Sequence, residues 1–370
     1  MNSPPLTSVG SRTYAAFTLV EIMVSLSVLT ILLLVSAQVI GQVQSTWSAS
    51  NARTSQFKEA RTAFDILTRN ISQATLNTFI DYDNNYLSVA GGTSAVAIAP
   101  TKYERKADLH FRCGPADVLI PGGGGSAFTP GHAVFFQAPL GVSNDPTLVG
   151  LDRLLCARGY FVQFSSDEAW VPSFITGGAL RHRYRLMEYS PPTEMNSIYA
   201  AASGADGSIA STWFAAAGAA NPSGSETAVP VTRPVADNIV ALIISPRREA
   251  ANDEELESAT GPTSIANDYN YDSSVVDNTT PTSSQGTQHL LPPLIRVVLI
   301  AIDEKSALRL EELNGSDGTP TLGDDLQNIF INAYELDDEV KKVVDILQTQ
   351  KLNYRVFSAT VQLRGAKWSI

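Results

Sequence analysis

Between Phe17 and Val43 the chain reads FTLVEIMVSLSVLTILLLVSAQVIGQV, and no other stretch constrains its fold as strongly. A run of about 20 apolar residues is enough to cross a bilayer as a helix. One carboxylate, Glu21, interrupts the run near its start. On insertion scales a charge at the centre of the hydrocarbon layer costs roughly 2.5–3.5 kcal/mol, so a residue kept there is expected to have a partner. Upstream lies a short polar leader, residues 1–16, whose only charged side chain is Arg12. Two simpler readings compete. A plain transmembrane anchor leaves Glu21 unexplained. A secretory signal cut after Val35-Ser36-Ala37 would carry its cation just before the apolar region, where Glu21 stands instead.

At 370 residues the chain has room for one large domain or two modest ones. Its formal charge of −11, with no basic run, argues against nucleic acid as a partner. The only cysteines, Cys113 and Cys156, have neither a C-x-x-C companion nor a metal-like histidine spacing. Two arrangements stay open for them. They either pair, closing a loop of about 44 residues worth on the order of 3–4 kcal/mol, or lie apart as buried thiols.

After the membrane run the pattern becomes amphipathic. Phe57, Ala60, Phe64, Leu67, Ile71 and Ala74 recur at steps of three and four, one stripe on a helix. One helix is therefore expected over residues 17–78, its part 17–43 transmembrane and its part 44–78 amphipathic, with a hinge at Gly41 as the alternative. Residues 79–370 read as a head. Short strands are expected at Leu109–Phe111, Ala133–Phe136, Tyr160–Phe164 and Tyr184–Tyr189. Asn238–Ser245 and Leu294–Ile302 are apolar on both faces and read as central strands. Glu304–Leu313 and Asp337–Gln350 read as helices, and Tyr354–Arg364 alternates core and solvent positions. Two insertions are expected to be flexible, at about 200–230, with Trp213 and Phe214 as candidate pins, and at 249–288. The latter is expected to bury almost nothing, because its composition is polar. The fold class that follows is α+β, a long N-terminal helix packed on a mainly antiparallel sheet.

Chemistry is sparse. The four histidines, His110, His132, His182 and His289, share no motif with a carboxylate or cysteine, and no G-x-S-x-G or H-E-x-x-H occurs. Ser55–Lys58 fits S-x-x-K without its companion motifs, on the amphipathic helix. Asp81, Asp83 and Asn85 have the alternate oxygen spacing of a calcium loop, but Tyr86 and Gly92 stand where that loop needs Gly and Glu. Asp268, Asn270 and Asp272 repeat the spacing with the same defect. Both stretches read more naturally as turns. No cofactor is expected, with calcium the one candidate metal.

The polar leader, the F-T-L-V-E sequence at Phe17–Glu21 and the apolar helix together resemble the processing site of type IV prepilins and pseudopilins. The resemblance implies that a prepilin peptidase cleaves between Ala16 and Phe17 and methylates the new amino terminus. It also implies that Glu21 pairs with the terminal ammonium of a neighbouring pilin-like subunit. A buried carboxylate and a buried ammonium are each costly alone and tolerable together. Ala16 departs from the family's glycine before the cut, so slower cleavage is expected. Further likeness spreads across the head, in Asp108 to Phe111, Cys113-Gly114-Pro115, Arg158 to Val162, Arg183 to Tyr189, Leu291-Pro292-Pro293, Tyr354 to Ser358 and Arg364 to Ser369. These segments resemble the Verru_Chthon cassette protein C family. The implied protein is a non-enzymatic minor pilin or pseudopilin of a type IV pilus-like or type II secretion-like assembly. It would sit in the inner membrane with a periplasmic head, and possible surface exposure follows assembly. An adhesin or ligand-binding module mounted on the helix is the alternative, and a secreted enzyme the third class.

Overall fold

The structure, a computed structural model, describes residues 18–82, 102–120, 129–143, 145–147, 154–168, 181–198, 209, 211–218, 231–247, 265–275, 285–314, 320, 322–327 and 329–366. It divides into two compact units, residues 1–54 and 55–370. Helix α1, Leu19–Ile71, contributes to both and continues through Gly41. In the first unit its apolar side chains are exposed, as at Leu26, Ile31 and Leu33, and none packs on a core.

The second unit has a core complete within itself, since its buried apolar side chains lie between Ala60 and Leu363. The helical stripe enters that core: Ala60, Ala63, Phe64, Leu67, Ile71 and Ala74 are all buried, and Leu67 and Ile71 fully so. The helix ends at Ile71, earlier than the expected 78, because the next backbone groups find partners outside it. The Ala74 N–H turns back to the Ile71 carbonyl, and the Thr75 N–H donates to the Gln137 carbonyl at 2.9 Å.

All described strand pairings are antiparallel. A small sheet pairs β1 (Phe79–Tyr82) with β2 (Tyr103–Lys106). The largest sheet draws on β3 (Arg112–Pro115), β4 (His132–Ala138), β5 (Cys156–Ser166), β6 (His182–Tyr189), β7 (Thr232–Asp237) and β9 (Tyr271–Asp272). Its order is β7-β6-β5-β4-β3-β9. A third sheet, β11-β10-β8, places β10 (Leu294–Ile302) between β8 (Ile239–Arg247) and β11 (Tyr354–Gln362). Leu294–Ile302, apolar but for Arg296, is the middle strand β10. Ile239–Ile244, expected to be central as well, is instead the outer strand of this sheet as described, and it is apolar because all six residues are fully buried. β8 packs against β4, β5 and β6, joining the two larger sheets. Helix α2 (Ala116–Leu119) follows β3, α3 (Glu304–Asn314) follows β10, and α4 (Gly323–Gln327) and α5 (Leu336–Thr349) precede β11.

Helix α1 touches both larger sheets. Phe64 lies against Phe357 of β11 with ring centroids 5.9 Å apart. Asn70 donates its side-chain amide to the Tyr160 hydroxyl of β5 at 2.7 Å, and that hydroxyl donates to Glu188 of β6 at 2.5 Å.

Within the first expected insertion Ser211–Gly218 forms a 3-10 helix, and its Trp213 and Phe214 are buried. Phe214 stacks on Phe135 of β4 at 4.2 Å. The other insertion, expected to bury almost nothing, carries Ile265, Ala266, Tyr269 and Tyr271 in the core. Its β9 pairs with β3 at Cys113. Average polarity concealed these anchors, because a few aromatic side chains suffice to hold a polar segment down. Leu109–Phe111, expected as a strand, is buried just ahead of β3 instead.

One glycine is fixed by packing. A Cβ on Gly159 of β5 would stand 2.3 Å from Cδ1 of Phe135. Only glycine lets that ring lie flat across the strand, beneath Phe214.

Candidate functional site

Ala16 and Phe17 lie outside the described residues, which begin with the next residue, Thr18. Thr18 caps α1: its hydroxyl oxygen accepts the Glu21 N–H at 3.3 Å and its carbonyl accepts the Ile22 N–H at 3.2 Å. Threonine is favoured there because its oxygen satisfies an N–H that the first helical turn leaves without a partner. Glu21 falls in that first turn. A carboxylate there also faces the positive end of the helix dipole, worth typically 0.3–1 kcal/mol at an exposed site.

Beyond Glu21 the helix is suited to lipid. Leu19–Ser48 has a mean hydropathy of 2.4 in its best window, and none of that window is buried. Three of its hydroxyls are satisfied internally: Ser25 donates to the Ile22 carbonyl at 3.0 Å, Ser27 to Val24 at 2.8 Å and Thr30 to Leu26 at 2.7 Å. In hydrocarbon such polar groups find partners within the helix. Glu21 is the single formal charge on the span.

The head's polar groups bind one another. His110 is fully buried; its Nδ1 accepts the Trp213 indole N–H at 3.0 Å, and its Nε2–H donates to Asp272 at 2.8 Å. Burial raises the Asp272 carboxyl, but His110, Ser274 and Arg112 together hold it down at about 2. The pair, its histidine buried and its carboxylate partly exposed, links β9 to the segment before β3. His132 is also buried, against the rings of Tyr269 and Phe330. Glu339 of α5 accepts the Tyr269 hydroxyl at 2.6 Å and the Ile331 and Asn332 N–H groups.

The cysteine alternatives resolve toward buried thiols. Cys113 and Cys156 are both free, on β3 and β5 with β4 between them. Two strand spacings amount to roughly 10 Å, beyond the ~7 Å Cα limit of a disulfide. Burial pushes the Cys113 thiol up to about 12 and raises Cys156 too, so neither favours the reactive thiolate.

Of the calcium candidates, Asp81 lies on β1 and pairs with Lys106 at 3.2 Å, whereas Asp83 and Asn85 lie outside the described residues. Asp268 accepts the Asn270 N–H in a local turn. Among the described residues no group of three or more His, Cys, Asp or Glu side chains is arranged to hold a metal.

The family model for the prokaryotic N-terminal methylation motif matches residues 11–37. The match takes in Ala16, Phe17, the Thr18 cap, Glu21 and most of the apolar span. No curated protein and no solved structure matches the chain. The chain thus carries a type IV prepilin-like N-terminal motif ahead of an α+β head of mainly antiparallel sheets.

Proposed function

We propose that the protein is a non-enzymatic structural subunit, a minor pilin or pseudopilin of a type IV pilus-like or type II secretion-like assembly. The observation that carries this reading is a coincidence of position. The methylation motif at residues 11–37 falls on the exposed apolar helix, and Glu21 lies in that helix's first turn. In this reading a prepilin peptidase cuts between Ala16 and Phe17, the Phe17 amine is methylated, and Glu21 meets the terminal ammonium of a neighbouring subunit. The protein sits in the inner membrane with its head in the periplasm, and it functions without a cofactor.

The head supports a likeness to the Verru_Chthon cassette protein C family as part of the same proposal. Several segments that carry the likeness build the core: Phe111, Cys113, Tyr160, Phe161 and Leu186 are buried, and Gly159 is fixed by Phe135. These segments are part of the head's packed scaffold. The size of the head, about residues 79–370, favours a place at or near a tip over a repeated place in a shaft.

Mass spectrometry of the mature amino terminus tests the reading. An N-methylated Phe17 is expected. A mature chain starting at Gln38 would instead make residues 1–37 a secretory signal and remove the basis for assembly.

A further inference from the structure

A polar joint lies where β6, the start of β8 and α3 meet. The Arg183 guanidinium, 4% exposed, donates from Nη1 to Glu311 at 2.6 Å and to the His182 carbonyl at 3.1 Å, and from Nη2 to Glu304 at 3.2 Å. Asn238 gives its amide N–H to Glu304 at 2.9 Å. That bond fixes the amide's orientation and turns its oxygen away from Glu304. Asn238 Oδ1 has no protein partner, and neither does the hydroxyl of Tyr184. Both residues are more than nine-tenths buried, at 4% and 3% exposure. Both also line the same cavity, together with Phe164, Ile302, Leu310 and Glu311.

The cavity has a volume of about 10 Å³. Roughly 10–15 Å³ is what a single water needs, provided it also finds two to four polar partners. Leaving a buried hydroxyl and a buried amide oxygen unmatched costs about 1–3 kcal/mol each, and most buried polar groups in natural folds have a partner. We propose that this cavity is a binding site for one structural water. The water accepts the Tyr184 O–H, donates one hydrogen to Asn238 Oδ1, and turns its second hydrogen toward Glu311.

Other occupants fit less well. Glu304 and Glu311 outnumber the one guanidinium, which disfavours an anion. A calcium-type cation needs 6–8 oxygen ligands, and three of the four carboxylate oxygens here already accept from Arg183 and Asn238. The water would complete the contact between the two larger sheets and α3 at a point where apolar packing cannot, because the strand turns there. Asn238 has φ 62°, a left-handed conformation that asparagine adopts more readily than most residues.

The test pairs a crystal structure of the head from Ser55 onward with urea unfolding of that head and its Tyr184→Phe variant. Density for one water within about 2.6–3.2 Å of both Tyr184 Oη and Asn238 Oδ1 is expected. Tyr184→Phe should raise the unfolding constant roughly fivefold, because the water loses a partner. An empty cavity would overturn the proposal. So would a Tyr184→Phe head as stable as the parent or more so, the result expected when a dry, unmatched hydroxyl is removed.

Discussion

Acidification should destabilise the head well above the pH at which its carboxylates titrate, and two histidines set the size of the effect. His132 is 1% exposed, and burial lowers its pKa to about 3 from an ordinary 6.5. Its Nδ1 also accepts the Ile244 N–H at 3.1 Å, a bond that protonation of that nitrogen would break. His289 is 3% exposed; burial first, then the nearby Arg105, His110 and Lys106, lower it to about 4, while Asp108 opposes them. Both folded pKa values lie below the unfolded one. The stabilisation is therefore whole above about pH 6.5 and is lost as the pH falls toward 4 and then 3, at about 1.4 kcal/mol per unit for each ring. From pH 7 to pH 5 each histidine accounts for about 2 kcal/mol, and the two together for about 4 kcal/mol. Domains of ordinary stability have only about 5–15 kcal/mol in total. Urea unfolding of the head from Ser55 onward, measured at pH 7, 6 and 5, reads the loss directly, and His132→Gln should remove about half of the slope. A loss below about 1 kcal/mol across that range would refute the reasoning, as would an unchanged slope in His132→Gln. Asp272, held at about 2, adds its own loss only below about pH 4, outside this window.

Gly159→Ala should destabilise the head by about 1–3 kcal/mol in the same assay, since the new methyl would displace Phe135 from beneath Phe214. Deleting residues 265–275 should abolish a cooperative transition, because it removes Tyr269, Tyr271 and β9. Deleting residues 249–264, which are polar in composition, should shift the midpoint little. Glu21→Ala should leave processing and membrane insertion intact while reducing the pilin-like subunits recovered by affinity purification; equal recovery would argue against Glu21 as an assembly contact.

Much of the architecture was legible because its physical signals are local. The step of three and four through Phe64, Leu67 and Ile71 marks a buried helical stripe, and each of these side chains is buried. The apolar run Leu294–Ile302, broken only by Arg296, marks a strand flanked on both edges, which is β10. Around Ser358, Thr360 and Gln362 the alternation marks a strand with one wet face. What escaped depends on pairing between distant segments. β9 is two residues long in a stretch of Asn, Asp and Ser, and its existence depends on β3, more than 150 residues earlier. Tyr269 and Tyr271 were the available signal, two large rings in a segment otherwise too polar to bury. The His110–Asp272 pair was hidden for the same reason, its partners lying 162 residues apart. Glu21 stood out because a lone charge in an apolar run is conspicuous without any knowledge of the fold.

The contact between Phe64 and Phe357 has a consequence for the order of events during folding. The two rings are separated by about 290 residues, and non-local contacts of this kind slow folding because chain ordering precedes their reward. Among the described residues β11 pairs only with β10, and Phe357 on it covers Phe64 on α1. Until residues 354–362 have been synthesised, the face of α1 that bears Phe64 lacks part of its cover. During that interval the chain presents an exposed apolar stripe close behind an apolar span, a combination prone to association with other unfinished chains. The waiting time is set by the length of the intervening head rather than by the helix itself, so agents that slow chain elongation should raise aggregation of this protein more than that of one whose first helix is covered early.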